Sequence, residues 1–98
     1  MDLQESRKKI DAIDEQIVAL LNRRAAEVKQ IARMKSAAGL PTIDRRREDE
    51  IYRRVSAENY GQIDNEALMR IFEQIVLESR RIQAKGAPEI VEIGGAIQ

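Results

Sequence analysis

The 98-residue chain contains no cysteine and no histidine. Without these residues it can form neither a disulfide framework nor a thiolate zinc site, and it has no imidazole base and no thiol nucleophile. Tryptophan is also absent, and aromatic residues make up only 3% of the chain, which disfavours base-stacking platforms. The sequence is best suited to chemistry without a covalent intermediate, and we expect neither a cofactor nor a metal.

Charge of one sign is not in excess, because 17 Lys and Arg residues balance 17 Asp and Glu residues. A net charge of zero argues against broad attraction to nucleic acid or to an anionic membrane, so we expect neither partner. The sequence has no apolar run of about 18 residues and no apolar core of a signal peptide at its start. With 35% charged residues and two prolines, it predicts a soluble, cytoplasmic, all-α protein.

The first 38 residues contain no glycine and no proline, and Gly39 and Pro41 are the first helix breakers. Apolar residues recur here at the three- and four-residue intervals of one helix face. They are Ile10, Ile13, Ile17, Leu20, Leu21, Val28 and Ile31. With Ser6 as the N-cap, a helix to Ala38 would be roughly 50 Å long. A compact monomer of this size has a radius of gyration of only about 13 Å, so we expect a homodimer that covers the apolar stripe.

Two shorter helices are predicted after the first. Asp44 can cap a second helix, which ends before the turn at residues 59–61. A third helix is expected from Asp64, with Gly86 and Pro88 as its stop signals. We therefore expect residues 1–85 to form one helical domain and residues 86–98 to form a tail or linker.

Some polar residues lie where apolar residues belong. Arg24 and Lys35 fall near the centre of the first helix's apolar stripe, and Arg7 lies on its flank. A buried cation without a partner is strongly unfavourable, although long side chains also cover apolar surface and reach water. The second helix adds Arg47 and Glu48, and the third adds Ser79 and Gln83, beside apolar positions. Together these residues could line a pocket for a small di-anion.

Four segments of the chain resemble the all-helical class of chorismate mutases. The first combines residues 7–17 (RKKIDAIDEQI) and 20–24 (LLNRR), and the others are residues 28–35 (VKQIARMK), 44–48 (DRRRE) and 71–83 (IFEQIVLESRRIQ). The resemblance keeps the family's order and approximate spacing over residues 6–83. It implies an intertwined homodimer of three-helix chains that rearranges chorismate to prephenate, a step towards phenylalanine and tyrosine.

The resemblance also implies a role for each polar residue. Arg24, with Arg7 reaching in from the partner chain, would bind the substrate carboxylates, since guanidinium groups pair well with carboxylates. Lys35 and Gln83 would donate hydrogen bonds to the ether oxygen of the bond that breaks. Glu48, with the backbone near Asp44, would contact the substrate hydroxyl. Arg47 and Ser79 would support the binding of the substrate carboxylates.

Other readings of the sequence remain open. An isochorismate-pyruvate lyase would share the same scaffold, although Glu48 as a hydroxyl ligand favours the mutase. A non-catalytic helical dimerisation module would use the same Arg and Lys residues to fix its register. Nucleic-acid binding through the paired arginines, such as Arg80 and Arg81, is disfavoured by the interspersed acids and the zero net charge.

Overall fold

A computed structural model describes residues 2–86, which fold into three α-helices. They are α1 (Leu3–Ala38), α2 (Arg45–Ala57) and α3 (Asn65–Gly86). No strand occurs in this part of the chain, so the prediction of an all-α protein with three helices is confirmed. From residue 87 onward, the predicted tail lies outside the described residues.

Helix α1 begins earlier than the sequence predicted. Asp2 is its N-cap, with a side-chain oxygen that accepts a hydrogen bond of 2.8 Å from the backbone N–H of Glu5. The prediction of Ser6 as the N-cap is wrong, because Asp2 already satisfies an N–H of the first turn and Ser6 lies within the helix. The predicted end is confirmed: Gly39 has a left-handed φ of 69° and its N–H bonds to the Ser36 carbonyl at 3.2 Å.

Aspartate caps also start the two shorter helices. A side-chain oxygen of Asp44 accepts from the Arg47 N–H at 3.0 Å, and one of Asp64 accepts from the Ala67 N–H at 2.8 Å. Between these helices, the side-chain amide of Asn59 donates to the Ile63 carbonyl at 2.9 Å. The predicted starts of α2 and α3 are therefore confirmed, and the link between them is held by its own hydrogen bonds.

The small core lies where α3 packs against both α1 and α2. Its buried apolar side chains come from all three helices. They are Val28, Ala32, Ile51 and Val76. These residues tie the second half of α1 to the other helices, so the protein's tertiary packing is concentrated at one end of its longest helix.

The first half of α1 extends away from this core. The 36 residues of the whole of α1 correspond to about 54 Å of helix. The described chain is 62 Å long and has a radius of gyration of 17.8 Å. Ile10, Ile13 and Ile17 on the predicted apolar stripe are 56%, 53% and 48% exposed. Within residues 2–86, no helix has both the length and the hydropathy needed to cross a membrane. The cytoplasmic location stays a prediction.

Candidate active site

A cavity of about 320 Å³ lies among the three helices, beside the buried core. All the predicted site residues except Arg7 line it. They are Arg24, Lys35, Asp44, Arg47, Glu48, Ser79 and Gln83. The structure therefore brings together residues from all three helices that are up to 59 positions apart in the sequence, from Arg24 to Gln83.

Lys35 and Gln83 form one wall of the cavity. The Lys35 ammonium donates to the side-chain carbonyl oxygen of Gln83 at 2.9 Å and to the backbone carbonyl of Thr42 at 2.8 Å. Helix α1 ends at Gly39, which is in the left-handed conformation, and the carbonyl of Thr42 three residues later lies within hydrogen-bond reach of Lys35. An ammonium has three N–H groups, so one remains for a ligand, and the Gln83 NH₂ group remains as a neutral donor.

Arg24 and Ser79 form a second wall. An Arg24 guanidinium nitrogen donates to the Ser79 hydroxyl oxygen at 2.5 Å, and that hydroxyl donates to the Ile75 carbonyl at 2.9 Å. The hydroxyl is thus used both as acceptor and as donor, which fixes its orientation. Burial lowers the pKa of Arg24, and the nearby positive charges of Arg47 and Arg54 lower it further. An anion bound here would relieve that repulsion.

Glu48 is held by Arg80, a residue that the sequence analysis did not assign to the site. Arg80 Nε donates to Glu48 Oε2 at 2.8 Å and Arg80 Nη2 donates to Oε1 at 2.6 Å. These hydrogen bonds hold the pKa of Glu48 below its ordinary value. Arg80 adjoins Ser79 and precedes Gln83 by one helical turn, and this spacing is the signal that could have found it.

Asp44 and Arg47 lie at the start of α2. The Asp44 carboxylate is engaged in capping that helix, so its side chain has a structural role besides lining the cavity. The Arg47 guanidinium contacts the carboxylate of Glu50 at 3.3 Å, and its side chain is 53% exposed. Arg47 is therefore a solvent-accessible cation beside the cavity rather than a buried one.

Arg7 is the predicted site residue that this chain does not bring to its own cavity. It is exposed on the extended half of α1, about 25 Å along the helix axis from Arg24. A long side chain cannot span that distance. If Arg7 contributes to catalysis, it does so in a cavity other than that of its own chain.

The charges around the cavity favour an anionic ligand. The lining contains four cations, Arg24, Lys35, Arg47 and Arg80, and two carboxylates, which leaves a formal excess of two positive charges. The carboxylate of Glu48 is paired with Arg80. In the described part of the chain, no group of three or more Asp and Glu residues is placed to hold a metal ion. The site is therefore electrostatically matched to a small di-anion.

Residues 6–84 match the family model described as chorismate mutase type II. The chain belongs to this family. The predicted resemblance to the all-helical chorismate mutases is confirmed over nearly the same residues. Chorismate mutases are isomerases. The match gives no support to the alternatives of an isochorismate-pyruvate lyase or a non-catalytic module.

Two curated chorismate mutase sequences are similar to the chain. The bifunctional chorismate mutase/prephenate dehydratase of Aquifex aeolicus is 41% identical over 88 residues, which cover 86% of this chain and 24% of that protein. The chain thus spans about a quarter of that relative's length. The chorismate mutase of Methanocaldococcus jannaschii is 33% identical over 82 residues, which cover 83% of each protein.

Solved chorismate mutase structures share the fold. Form II of the enzyme from Thermus thermophilus superposes with a TM-score of 0.84 and 30% identity, covering 88% of this chain and 98% of that one. The Helicobacter pylori chorismate mutase in complex with prephenate has a TM-score of 0.78 and 28% identity, covering 86% of this chain and 91% of that one. The three-helix architecture is therefore that of chorismate mutases.

Proposed function

We propose that the chain catalyses the rearrangement of chorismate to prephenate in the cavity among its three helices. The observation that carries the proposal is the Lys35–Gln83 contact, which places an ammonium and an amide donor side by side in a cavity with excess positive charge. The family match and the prephenate-bound Helicobacter pylori relative support the same reaction.

The chemistry fits the residues that the chain offers. The rearrangement is unimolecular: the ether C–O bond breaks as a new C–C bond forms, and no proton is transferred. It needs a substrate held with its enolpyruvyl arm over the ring and donors at the ether oxygen, where negative charge grows. In the proposal, Lys35 and Gln83 supply those donors. Because they bind the developing charge better than the ground state, they accelerate the reaction.

Three further residues hold the substrate in the proposed complex. Arg24 binds a carboxylate, and its hydrogen bond to Ser79 keeps the guanidinium in place before the substrate arrives. Arg47 approaches the carboxylates from the solvent side of the cavity. Glu48 accepts a hydrogen bond from the substrate hydroxyl, which requires the ionised carboxylate. Its lowered pKa is consistent with this role, because it extends the pH range of the ionised form downward.

We further propose that two chains form an intertwined homodimer through α1, with residues 1–85 as the helical domain of each. The apolar stripe on the extended half of α1 supports this arrangement. Its residues Ile10, Ile13 and Ile17 are about half exposed in the single chain, and burying them against a second copy removes apolar surface from water. In such a dimer, Arg7 enters the partner's cavity. Its distance from Arg24 of its own chain favours that assignment.

The activity is tested by incubating the purified chain with chorismate and following chorismate loss and prephenate formation. We expect stoichiometric conversion to prephenate without added cofactor. The same assay with isochorismate, following salicylate and pyruvate, is the control for the lyase reaction. Absence of prephenate from a folded chain would refute the proposed activity.

Mixing two defective variants tests the shared cavity. We expect Arg7→Ala and Lys35→Met homodimers each to have little activity. After subunit exchange at equal concentrations, half of the dimers contain one chain of each kind, and each of these has one intact cavity, so about a quarter of the wild-type activity should return. If Arg7 serves its own chain, every cavity keeps one defect and mixing restores nothing.

A further inference from the structure

We propose that Arg80 is a positioning residue that holds the Glu48 carboxylate in the orientation needed to accept the substrate hydroxyl. This inference rests on the proposed function. Arg80 comes from α3 and Glu48 from α2, and both line the same cavity. Arg80 would act through Glu48, without contacting the reacting atoms.

The geometry of the pair supports this role. Both oxygens of Glu48 are engaged by two different nitrogens of Arg80, at 2.8 and 2.6 Å, in a two-pronged contact that fixes the plane of the carboxylate. An ionised carboxylate has about four lone-pair sites, and this contact uses two of them. The remaining sites can accept a substrate hydroxyl, in directions set by the guanidinium.

No other cation in the described chain makes an ion pair with Glu48. On its own helix and at that helix's cap, the nearby charges of Arg45 and Asp44 act in opposite directions on its pKa, and burial together with the Glu48 charge raises the pKa of Tyr52. From α1, Lys35 and Arg24 line the same cavity but are bonded to Gln83 and Ser79 instead. Without Arg80, Glu48 would keep its charge but lose its fixed orientation.

Exposure is also consistent with positioning rather than with surface pairing. The Glu48 and Arg80 side chains are 14% and 30% exposed, whereas those of the neighbouring pair Arg81 and Glu78 are 69% and 57% exposed. Of the three ion pairs in residues 2–86, Glu48–Arg80 is the one that links two helices. It therefore lies in a partly desolvated place where orientation can be maintained.

The test compares Arg80→Met with Arg81→Met, its matched control on the next position of α3. We expect Arg80→Met to lower kcat/KM for chorismate about tenfold, mainly through a higher KM, because a substrate contact present throughout the reaction is weakened. We also expect the acid limb of its kcat/KM profile to move to higher pH, because Glu48 loses the hydrogen bonds that favour its ionised form. Arg81→Met should retain wild-type kinetics.

A double-mutant cycle separates positioning from a merely structural effect. In a Glu48→Gln background, Arg80→Met should cost little further activity, since the group through which it acts is already altered. Arg80→Lys keeps the charge but not the two-pronged contact, so its kcat/KM should lie between those of wild type and Arg80→Met. If Arg80→Met does not fold, Arg80→Lys replaces it in the cycle. Additive losses, or a higher kcat/KM in Arg80→Met, would overturn the positioning role. A wild-type chain that leaves chorismate unchanged would instead overturn the proposed function, and this role with it.

Discussion

Replacing Lys35 with methionine is the most direct perturbation of the proposed reaction. Methionine keeps much of the length of the lysine stem but has no N–H donor. The substitution removes the hydrogen bonds of the ammonium to Gln83 (2.9 Å) and to the Thr42 carbonyl (2.8 Å), along with the third N–H that we assign to the ether oxygen. It therefore changes both stability and catalysis, and the two effects differ in size.

The catalytic effect should be the larger one. Loss of one preorganised donor to a developing negative charge typically lowers kcat by about 10²–10³-fold. The two protein hydrogen bonds come from a charged donor and are only part-buried, so at about 1.5 kcal/mol each the free energy of unfolding should fall by about 3 kcal/mol. From a stability of about 5 kcal/mol, that leaves about 3% of the chains unfolded. Unfolding alone cannot explain a hundredfold loss.

The assay is the initial rate of prephenate formation at saturating chorismate, with helix content measured by circular dichroism. Lys29→Met is the matched control, because Lys29 is an exposed lysine on the same helix and does not line the cavity. We expect it to retain wild-type kcat. A folded Lys35→Met variant with more than a third of the wild-type kcat would refute the role assigned to Lys35.

Three further predictions follow from individual contacts. Gln83→Glu should shift the pH optimum downward, because a glutamate donates to the ether oxygen only when protonated; an unchanged pH profile would contradict the role of Gln83. The Arg80 hydrogen bonds lower the folded-state pKa of Glu48. They therefore stabilise the folded chain fully above the ordinary glutamate pKa, and this stabilisation is lost as the pH falls from the ordinary pKa to the lowered folded-state pKa. Acid titrations of unfolding should therefore show a smaller loss of stability over this range in Glu48→Gln than in wild type. Gly39→Ala should lower the free energy of unfolding by about 1 kcal/mol, measured with urea, because φ is 69° and nothing lies within 4 Å of the added methyl group, so strain is the only cost.

Local patterns in the sequence were sufficient to predict the helices. The glycine- and proline-free first 38 residues, the aspartates that precede α2 and α3, and the breakers at Gly39 and Gly86 are signals read within a few residues. The start of α1 was misplaced because Asp2 and Ser6 are both good capping residues. Leu3, Gln4 and Glu5 are all good helix formers and the Asp2 side chain accepts from the Glu5 N–H, so the earlier cap is the one used.

The polar residues of the candidate site were found from the sequence for a different reason. Arg24 and Lys35 were conspicuous because they interrupt an apolar stripe, Gln83 because it lies beside apolar positions of α3, and the family resemblance added Asp44. Arg80 was missed because the Arg80–Arg81 pair was weighed only as a nucleic-acid contact. Its one-turn spacing from Gln83 favours Arg80 over Arg81, but spacing along one helix does not show that it meets Glu48 on another. The rotation of α3 against α2 decides that, and it points Arg80 to Glu48 and leaves Arg81 in solvent.

The sequence by itself determined where the helices begin and end, apart from the start of α1, and which residue types the chain brings to its chemistry. Helix periodicity and capping act over one or two turns, so they can be read along the chain. The tertiary structure decided which side chains meet, that Lys35 bonds to Gln83 across α1 and α3, and that Arg7 lies far from Arg24. These facts depend on how the helices pack against each other. A helix rotated by one residue position would bring a different side chain to the cavity and turn the present one to solvent.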